Sequence, residues 1–116
     1  MLISIKGFDK VMKRFKGAEK VDMTQPVKVG TRIVQRSAKQ KAPVDTGDLE
    51  GSIRRSFSGA NTSMPTGRVS TNIEYAVYVE YGTSKMLAQP FLRPALKDSS
   101  KELNKLFSEH IKKSLK

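Results

Sequence analysis

Two segments that contain proline and glycine place the strongest limits on how this 116-residue chain can fold. The first is residues 42–49, APVDTGDL, and the second is residues 78–83, YVEYGT, which continues at residues 88–96 as AQPFLRPAL. Proline pushes the preceding residue out of the α region, and glycine permits a positive φ. Because an apolar pattern restarts directly after each segment, both are expected to be ordered connections between structural elements.

Three amphipathic helices are predicted from apolar residues at helical spacing. They cover about residues 8–16, 24–42 and 91–115, and the last has the clearest apolar stripe. The only histidine, His110, lies on that stripe. We interpret His110 as a packing residue, because a catalytic histidine needs a positioned partner.

Three strands are predicted from alternation of apolar and polar residues. They cover residues 2–5, 49–57 and 68–73, and the loops lie near 58–67 and 82–90. Residues 75–81 fit either a strand or one to two helical turns. The expected fold is a single α+β domain over residues 1–116, in which the helices pack on one face of a small, curved antiparallel sheet.

A structural turn is predicted between a helix and a strand, and its residues are Pro43, Asp45, Thr46 and Gly47. An Asp side chain bonds to the backbone ahead of it in such turns, and Gly supplies a positive φ. The Asp-Thr-Gly triplet is also the active-site triplet of dimeric aspartic proteases. Here Pro43 precedes it and a second acid, Asp48, follows it, which does not fit that active site. An aspartic protease is therefore the weakest functional alternative for this chain, and a protein without enzymatic activity is expected.

No cofactor, metal or small-molecule substrate is expected. With no cysteine and one histidine, one chain cannot supply the ligands of a zinc site. No run approaches ~18 apolar residues, so no membrane contact is expected. The N-terminus becomes charged too early for a signal peptide, and synthesis in the cytosol is the simplest expectation.

The net charge of +11 is unevenly distributed. Residues 1–42 carry +8, residues 43–91 carry −1 and residues 92–116 carry +4. The second predicted helix has a basic row opposite its apolar face, formed by Lys28, Arg32, Arg36 and Lys39. These are candidate contacts to DNA or another polyanion, and no motif for reading sequence accompanies them. Non-specific nucleic-acid binding is the alternative function, and a solvated basic surface is the simpler explanation.

Residues 30–97 closely resemble the small head–tail joining proteins of long-tailed bacteriophages, which are neck or tail-completion components. In that family an AP-x-DTG-x-L turn precedes a strand, and YVEYGT is followed by M-x-AQPFLRPA. The resemblance implies a structural virion protein at the head–tail junction, made in the cytoplasm of a bacterial host. It further implies a ring, with a hexamer as the expected form, that docks between a head-side connector and a tail-side protein. Genomic DNA passes through such rings, so weak, non-specific DNA contact is compatible with this role.

The candidate interface is the segment that carries the second motif, because Tyr and Met combine a large contact area with a modest ordering cost. Its residues are Tyr75, Tyr78, Glu80, Tyr81, Gly82, Thr83, Met86 and Gln89. Core packing is the alternative for Tyr78 and Val79. Phe91 is expected in the core, because prolines on both sides fix it beside the start of the last helix.

Overall fold

The computed structural model describes residues 1–5, 14–43, 47–62 and 65–115. The described elements are β1 (Leu2–Ile5), a short 3-10 helix (Ala18–Lys20), α1 (Thr24–Lys41), α2 (Asp48–Ser52), β2 (Arg54–Ser58), β3 (Thr66–Ser70), α3 (Ala76–Tyr81) and α4 (Leu92–Ser114). The fold is therefore the predicted α+β class with a small antiparallel sheet.

The sheet has three antiparallel strands in the order β1-β3-β2. Val69 of β3 lies opposite Ile3 on one side and opposite Arg55 on the other. Ile5, Gly67 and Val69 are buried on the side that faces the helices. The alternation along β1 and β3 thus gives the sheet one buried face.

Helix α1 packs closely on β3 because Gly67 has no side chain. A Cβ atom on Gly67 would overlap Oγ1 of Thr31. The Thr31 hydroxyl is buried and donates to the backbone carbonyl of Val27 at 2.7 Å. This internal bond lets a polar side chain fill the space against the sheet without an unsatisfied group.

Helix α4 packs along α1, where Gly30 makes the contact close. A Cβ atom on Gly30 would lie 2.8 Å from Cδ2 of Leu103. Phe91 is fully buried beside the start of α4, as predicted. The buried residues of α4 are Leu92, Ala95, Ser99, Leu103, Phe107 and Ile111. Leu96 and Leu106 are only partly buried, so the buried stripe of α4 is centred on Leu103 and Phe107.

The prediction of a strand over residues 49–57 was wrong for residues 49–52. Residues 48–52 form the single-turn helix α2, and the strand begins only at Arg54. Gly47 has a φ of 80°, and its carbonyl accepts the N–H of Gly51 at 2.9 Å. Leu49 and Ile53 are both buried, and their spacing of four fits a helical turn as well as a strand.

The strand predicted at residues 68–73 lies earlier, at Thr66–Ser70, and the predicted 58–67 loop is correspondingly shorter. The sheet ends at Thr71, whose N–H donates to the carbonyl of Met1 at 3.0 Å. The Thr71 hydroxyl then accepts the N–H of Ile73 at 3.2 Å and turns the chain towards α3. The ambiguous residues 75–81 are helical from Ala76 onwards.

The helix predicted at about residues 8–16 lies mostly outside the described residues, and its described end, from Arg14, is a turn. Phe15 packs against the core from this turn. Helices predicted at 24–42 and 91–115 are confirmed as α1 and α4. Within the described part of the chain, no helix is long and apolar enough to cross a membrane.

Candidate interaction surface

The buried carboxylate of Glu80 joins α3 to the first turn of α4. Its Oε1 accepts the backbone N–H groups of Phe91 and Leu92, each at 2.9 Å. Its Oε2 accepts the N–H of Arg93 at 3.2 Å. The first N–H groups of a helix have no partner within the helix, and they carry partial positive charge. Glu80 therefore caps α4 from a distance of eleven residues and fixes both ends of the 82–90 loop.

Arg93 completes this contact from the other side. Its Nε donates to Oε2 of Glu80 at 2.9 Å, and a terminal nitrogen donates to the backbone carbonyl of Glu80 at 3.1 Å. The guanidinium lies 4.4 Å from the centre of the Tyr81 ring. Burial would raise the pKa of Glu80, but the hydrogen bonds from residues 91–93 outweigh it and hold the pKa below its ordinary value. Glu80 is thus a charged anchor inside the structure.

The 82–90 loop is irregular, as predicted, but its backbone is held by hydrogen bonds. Thr83 and Met86 form an isolated bridge in which the Thr83 N–H donates to the Met86 carbonyl at 2.8 Å. The N–H of Gln89 donates to the carbonyl of Val79 at 2.7 Å. Gly82 has a φ of 76°, and a Cβ there would lie 2.8 Å from the backbone nitrogen of Ala88. The loop therefore needs glycine at position 82.

A groove of about 590 Å³ opens between this loop, α3 and the start of α2. It is lined by Pro43, Asp48, Leu49, Tyr75, Tyr78, Val79, Thr83, Met86 and Gln89, and we call it the tyrosine groove. Its walls are mostly apolar and aromatic. Tyr78 is 56% exposed, so the alternative that Tyr78 packs in the core does not hold.

The structure brings together five of the eight candidate interface residues in this groove, namely Tyr75, Tyr78, Thr83, Met86 and Gln89. Tyr81 is exposed beside Arg93, and Gly82 shapes the loop. Glu80 differs from the expectation, because its side chain is fully buried and cannot contact a partner in this structure. A sequence signal for this role existed, since Glu80 lies between Val79 and Tyr81, two residues before the loop.

The predicted turn contributes to the same groove. Pro43 lines one wall, and Gly47 has the expected positive φ. Asp45 and Thr46 lie outside the described residues. Asp48 and Leu49, which directly follow the turn, also line the groove. Neither residue was predicted to line an interface, because Asp48 was interpreted as part of the turn and Leu49 as the start of a strand.

The basic row of α1 lies beside the edge strand β2. Lys28, Arg32, Arg36 and Lys39 line two adjoining depressions of about 280 and 420 Å³, and Arg32 and Arg55 belong to both. A terminal nitrogen of Arg55 donates to Oε1 of Gln35 at 2.7 Å. The Lys28 ammonium lies 5.2 Å from the centre of the Phe57 ring. We call the surface of Lys28, Arg32, Arg36, Lys39 and Arg55 the basic groove.

The remaining candidate chemistry is limited. One ring nitrogen of His110, Nε2, lies 2.8 Å from the backbone carbonyl of Asp22, which agrees with a structural role. No group of three His, Cys, Asp or Glu side chains that could hold a metal occurs among the described residues. The features of the described residues that could contact a partner are therefore the tyrosine groove and the basic groove.

The chain was also compared with known protein families, curated proteins and solved structures. A family model described as "Bacteriophage HK97-gp10, putative tail-component" matches residues 6–82, which is more than half of the chain. The matched range contains the first motif and most of the YVEYGT segment, and it ends at the first residue of the 82–90 loop, before α4. No curated protein and no solved structure gave a match.

Proposed function

Because the chain belongs to the HK97 gp10-like family of bacteriophage tail components, we propose that it joins head and tail by forming a ring between a head-side connector and a tail-side protein. Family membership makes it a structural phage protein and argues against the aspartic protease. The position at the head–tail junction and the ring are our proposal. The observation that carries the proposal is the tyrosine groove.

An exposed apolar groove with polar residues at its rim is typical of a protein interaction site. Tyr75, Tyr78 and Met86 are between 37% and 56% exposed in the single chain. Leu87, at the tip of the same loop, is 88% exposed. Burying these side chains against a partner would remove apolar surface from water, which favours association.

The frame around the groove favours binding because it is already ordered. Glu80 fixes α3 to α4, and Gly82 together with the Thr83–Met86 bridge fixes the loop. A surface that is ordered before binding loses less conformational entropy on association. Tyrosine adds to this advantage, since it has only two side-chain torsions.

A neighbouring copy of the chain is the occupant that we propose for the groove. A ring requires a contact between two different patches of the same chain, repeated around a closed circle. Among the described residues that line the groove, only Asp48 is charged, whereas residues 1–42 and 92–116 carry +8 and +4. Like charges oppose contact between two basic faces, and contact between the groove of one copy and another side of the next avoids this repulsion.

Complementation in the phage that encodes this chain tests the proposal. The double variant Tyr78→Ser/Met86→Ser removes apolar surface from the groove, and Leu2→Ser removes an exposed leucine from the sheet. We expect the groove variant to melt like the wild type, to lower the titre of infectious particles at least tenfold and to leave heads and tails separate in electron micrographs. Leu2→Ser should give a wild-type titre. A wild-type titre for the groove variant would contradict a role of the groove in joining.

A further inference from the structure

We propose that the basic groove between α1 and β2 binds the phosphate backbone of duplex DNA without reading its sequence. This inference does not depend on the ring or on the tyrosine groove. It rests on the charge, the availability and the spacing of five cationic side chains on one surface, and on the kind of partner that such a surface excludes.

The two elements that form the basic groove contain no acidic residue. Helix α1, from Thr24 to Lys41, carries five Lys or Arg residues and no Asp or Glu. The hairpin from Arg54 to Ser70 carries three Arg residues and no Asp or Glu. Of the described residues that line the two depressions of this groove, Glu50 is the only one with a carboxylate. A surface with one sign of charge attracts a polyanion and raises its rate of association.

The cations of the basic groove have no carboxylate partner among the residues that the structure describes. The described residues form two ion pairs, and neither involves the basic groove. Lys41 pairs with Asp98 at 3.2 Å, and Arg93 pairs with Glu80 at 2.9 Å. Arg55 is held by the neutral amide of Gln35, which orients the guanidinium without neutralising it. The Lys28 ammonium lies near the Phe57 ring, which also leaves its charge in place. All five charges are therefore available to phosphates.

The spacing along α1 suits a phosphate strand. Lys28, Arg32 and Arg36 are four residues apart, and Lys39 follows after three. At a rise of about 1.5 Å per residue, the row spans roughly 16 Å. One DNA strand presents a phosphate about every 3.4 Å of helix axis, so the row faces about five phosphates. The neighbouring Ser56 hydroxyl and Gln40 amide are further groups of the kind that contact phosphates.

The same surface fits an acidic protein less well than it fits DNA. The centre of a protein–protein interface is usually depleted of charge and rich in apolar side chains. The basic groove has cations along its length, and Phe57 is the only aromatic residue in the part of its lining that the structure describes. A site for single strands would need several exposed rings on which bases stack. Duplex DNA is therefore the partner that fits this surface best, and the phage genome is such a polyanion.

Fluorescence anisotropy of a labelled random 20-base-pair duplex tests this proposal. If three to five phosphates are engaged, affinity should fall by about 40- to 500-fold between 50 and 200 mM salt. The groove variant Lys28→Gln/Arg32→Gln/Arg36→Gln/Lys39→Gln should bind at least tenfold more weakly at 100 mM salt. The matched control removes the same charge from the exposed side of α4, as Lys97→Gln/Lys101→Gln/Lys105→Gln/Lys112→Gln, and should lose less than threefold.

Two further measurements keep the result unambiguous. Circular dichroism melting shows whether each variant is folded, and the single changes Arg36→Glu and Lys105→Glu repeat the comparison with smaller perturbations. Polyglutamate, added as a competitor at equal charge, should displace the duplex poorly. Equal losses for the α1 and α4 variants, no binding at 50 mM salt, or equal competition by polyglutamate would each overturn the proposal. The last result would assign the surface to acidic proteins instead.

Discussion

At the scale of single residues, Glu80 connects the candidate interface to the core. Its carboxylate is fully buried, and it satisfies three backbone N–H groups and the side chain of Arg93. A buried charge costs free energy unless it is paired and hydrogen-bonded, and here both conditions are met. The residue that holds the interface in place is therefore more sensitive to change than the exposed tyrosines that form it.

Glu80→Gln should lower the free energy of unfolding by about 2–4 kcal/mol, because an amide loses the charge and directs an N–H₂ group towards donors. Urea denaturation followed by circular dichroism measures this change. Glu74→Gln, on the exposed residue two positions before α3, is the matched control and should stay within about 0.5 kcal/mol of the wild type. Equal midpoints for the two variants would show that the buried carboxylate does not stabilise the fold.

Glu80 should also make stability depend on pH. Its folded-state pKa lies below the ordinary value, so the unfolded chain binds the proton more tightly. The stabilisation is present above about pH 4.3, the unfolded value, and is lost as the pH falls through the folded-state pKa.

The carboxyl of Asp22 acts in the same direction, because the hydroxyl and the backbone N–H of Thr24 lower its pKa. The test therefore removes the Asp22 carboxyl from both proteins. The unfolding free energy of Asp22→Asn is measured between pH 6 and 3 and compared with that of Asp22→Asn/Glu80→Gln. The unfolding free energy should fall more steeply in the single variant, and parallel curves would contradict this assignment to Glu80.

Substitutions at Gly82 and Gly47 distinguish the free-energy cost of a positive φ from the added cost of a steric clash. The φ values of these glycines are 76° and 80°, but a Cβ on Gly47 meets no described residue within 4 Å, whereas one on Gly82 lies 2.9 Å from the Met86 carbonyl oxygen. Gly82→Ala should therefore lower the unfolding free energy by about 3 kcal/mol, and Gly47→Ala by about 1 kcal/mol. Urea titrations of both variants give the comparison, and a larger loss for Gly47→Ala would contradict the described loop.

At the scale of elements, the close contact between α1 and β3 predicts coupling between two residues. Gly67→Ala should lower the unfolding free energy by about 2 kcal/mol or more, because its Cβ overlaps the Thr31 hydroxyl. In a Thr31→Ala background the same change should cost less. A double-mutant cycle measures the coupling, which should exceed about 0.5 kcal/mol. Additive effects would show that α1 does not rest on Gly67.

The long helices could be predicted from the sequence because their apolar periodicity extends over many turns. Helix α1 follows from Val27, Val34 and Ala38 on one side and the basic row on the other, and Pro43 limits its end. Helix α4 follows in the same way, although its stripe is centred on Leu103 and Phe107. Over such lengths, local propensity and packing agree, and no tertiary contact needs to be known.

The short elements could not be predicted, because tertiary contacts decide them. In α2, Leu49 and Ile53 suit a strand or a helical turn, and packing beside α1 selects the turn. The end of β3 is set by its partner Met1, about 70 residues away in sequence. The tyrosine groove could be predicted only in part for the same reason. The sequence identified its motif residues, but it did not predict the burial of Glu80, which depends on the N-terminus of α4.

At the scale of the whole molecule, two surfaces of different chemistry lie on separate elements. The tyrosine groove is formed by α3, the 82–90 loop and the start of α2, and Asp48 is the one charged residue in its described lining. The basic groove is formed by α1 and β2. This separation would let a ring use one surface for contact between copies while the other remains available to DNA.

Reconstruction of the head–tail junction by electron cryo-microscopy, in the phage that encodes this chain, tests the central claim most directly. Our account predicts a ring of this chain between the head-side connector and the tail, with Tyr78 and Met86 buried against the neighbouring copy. A map that places the chain elsewhere in the particle, or that leaves the tyrosine groove open to solvent within the ring, would contradict it.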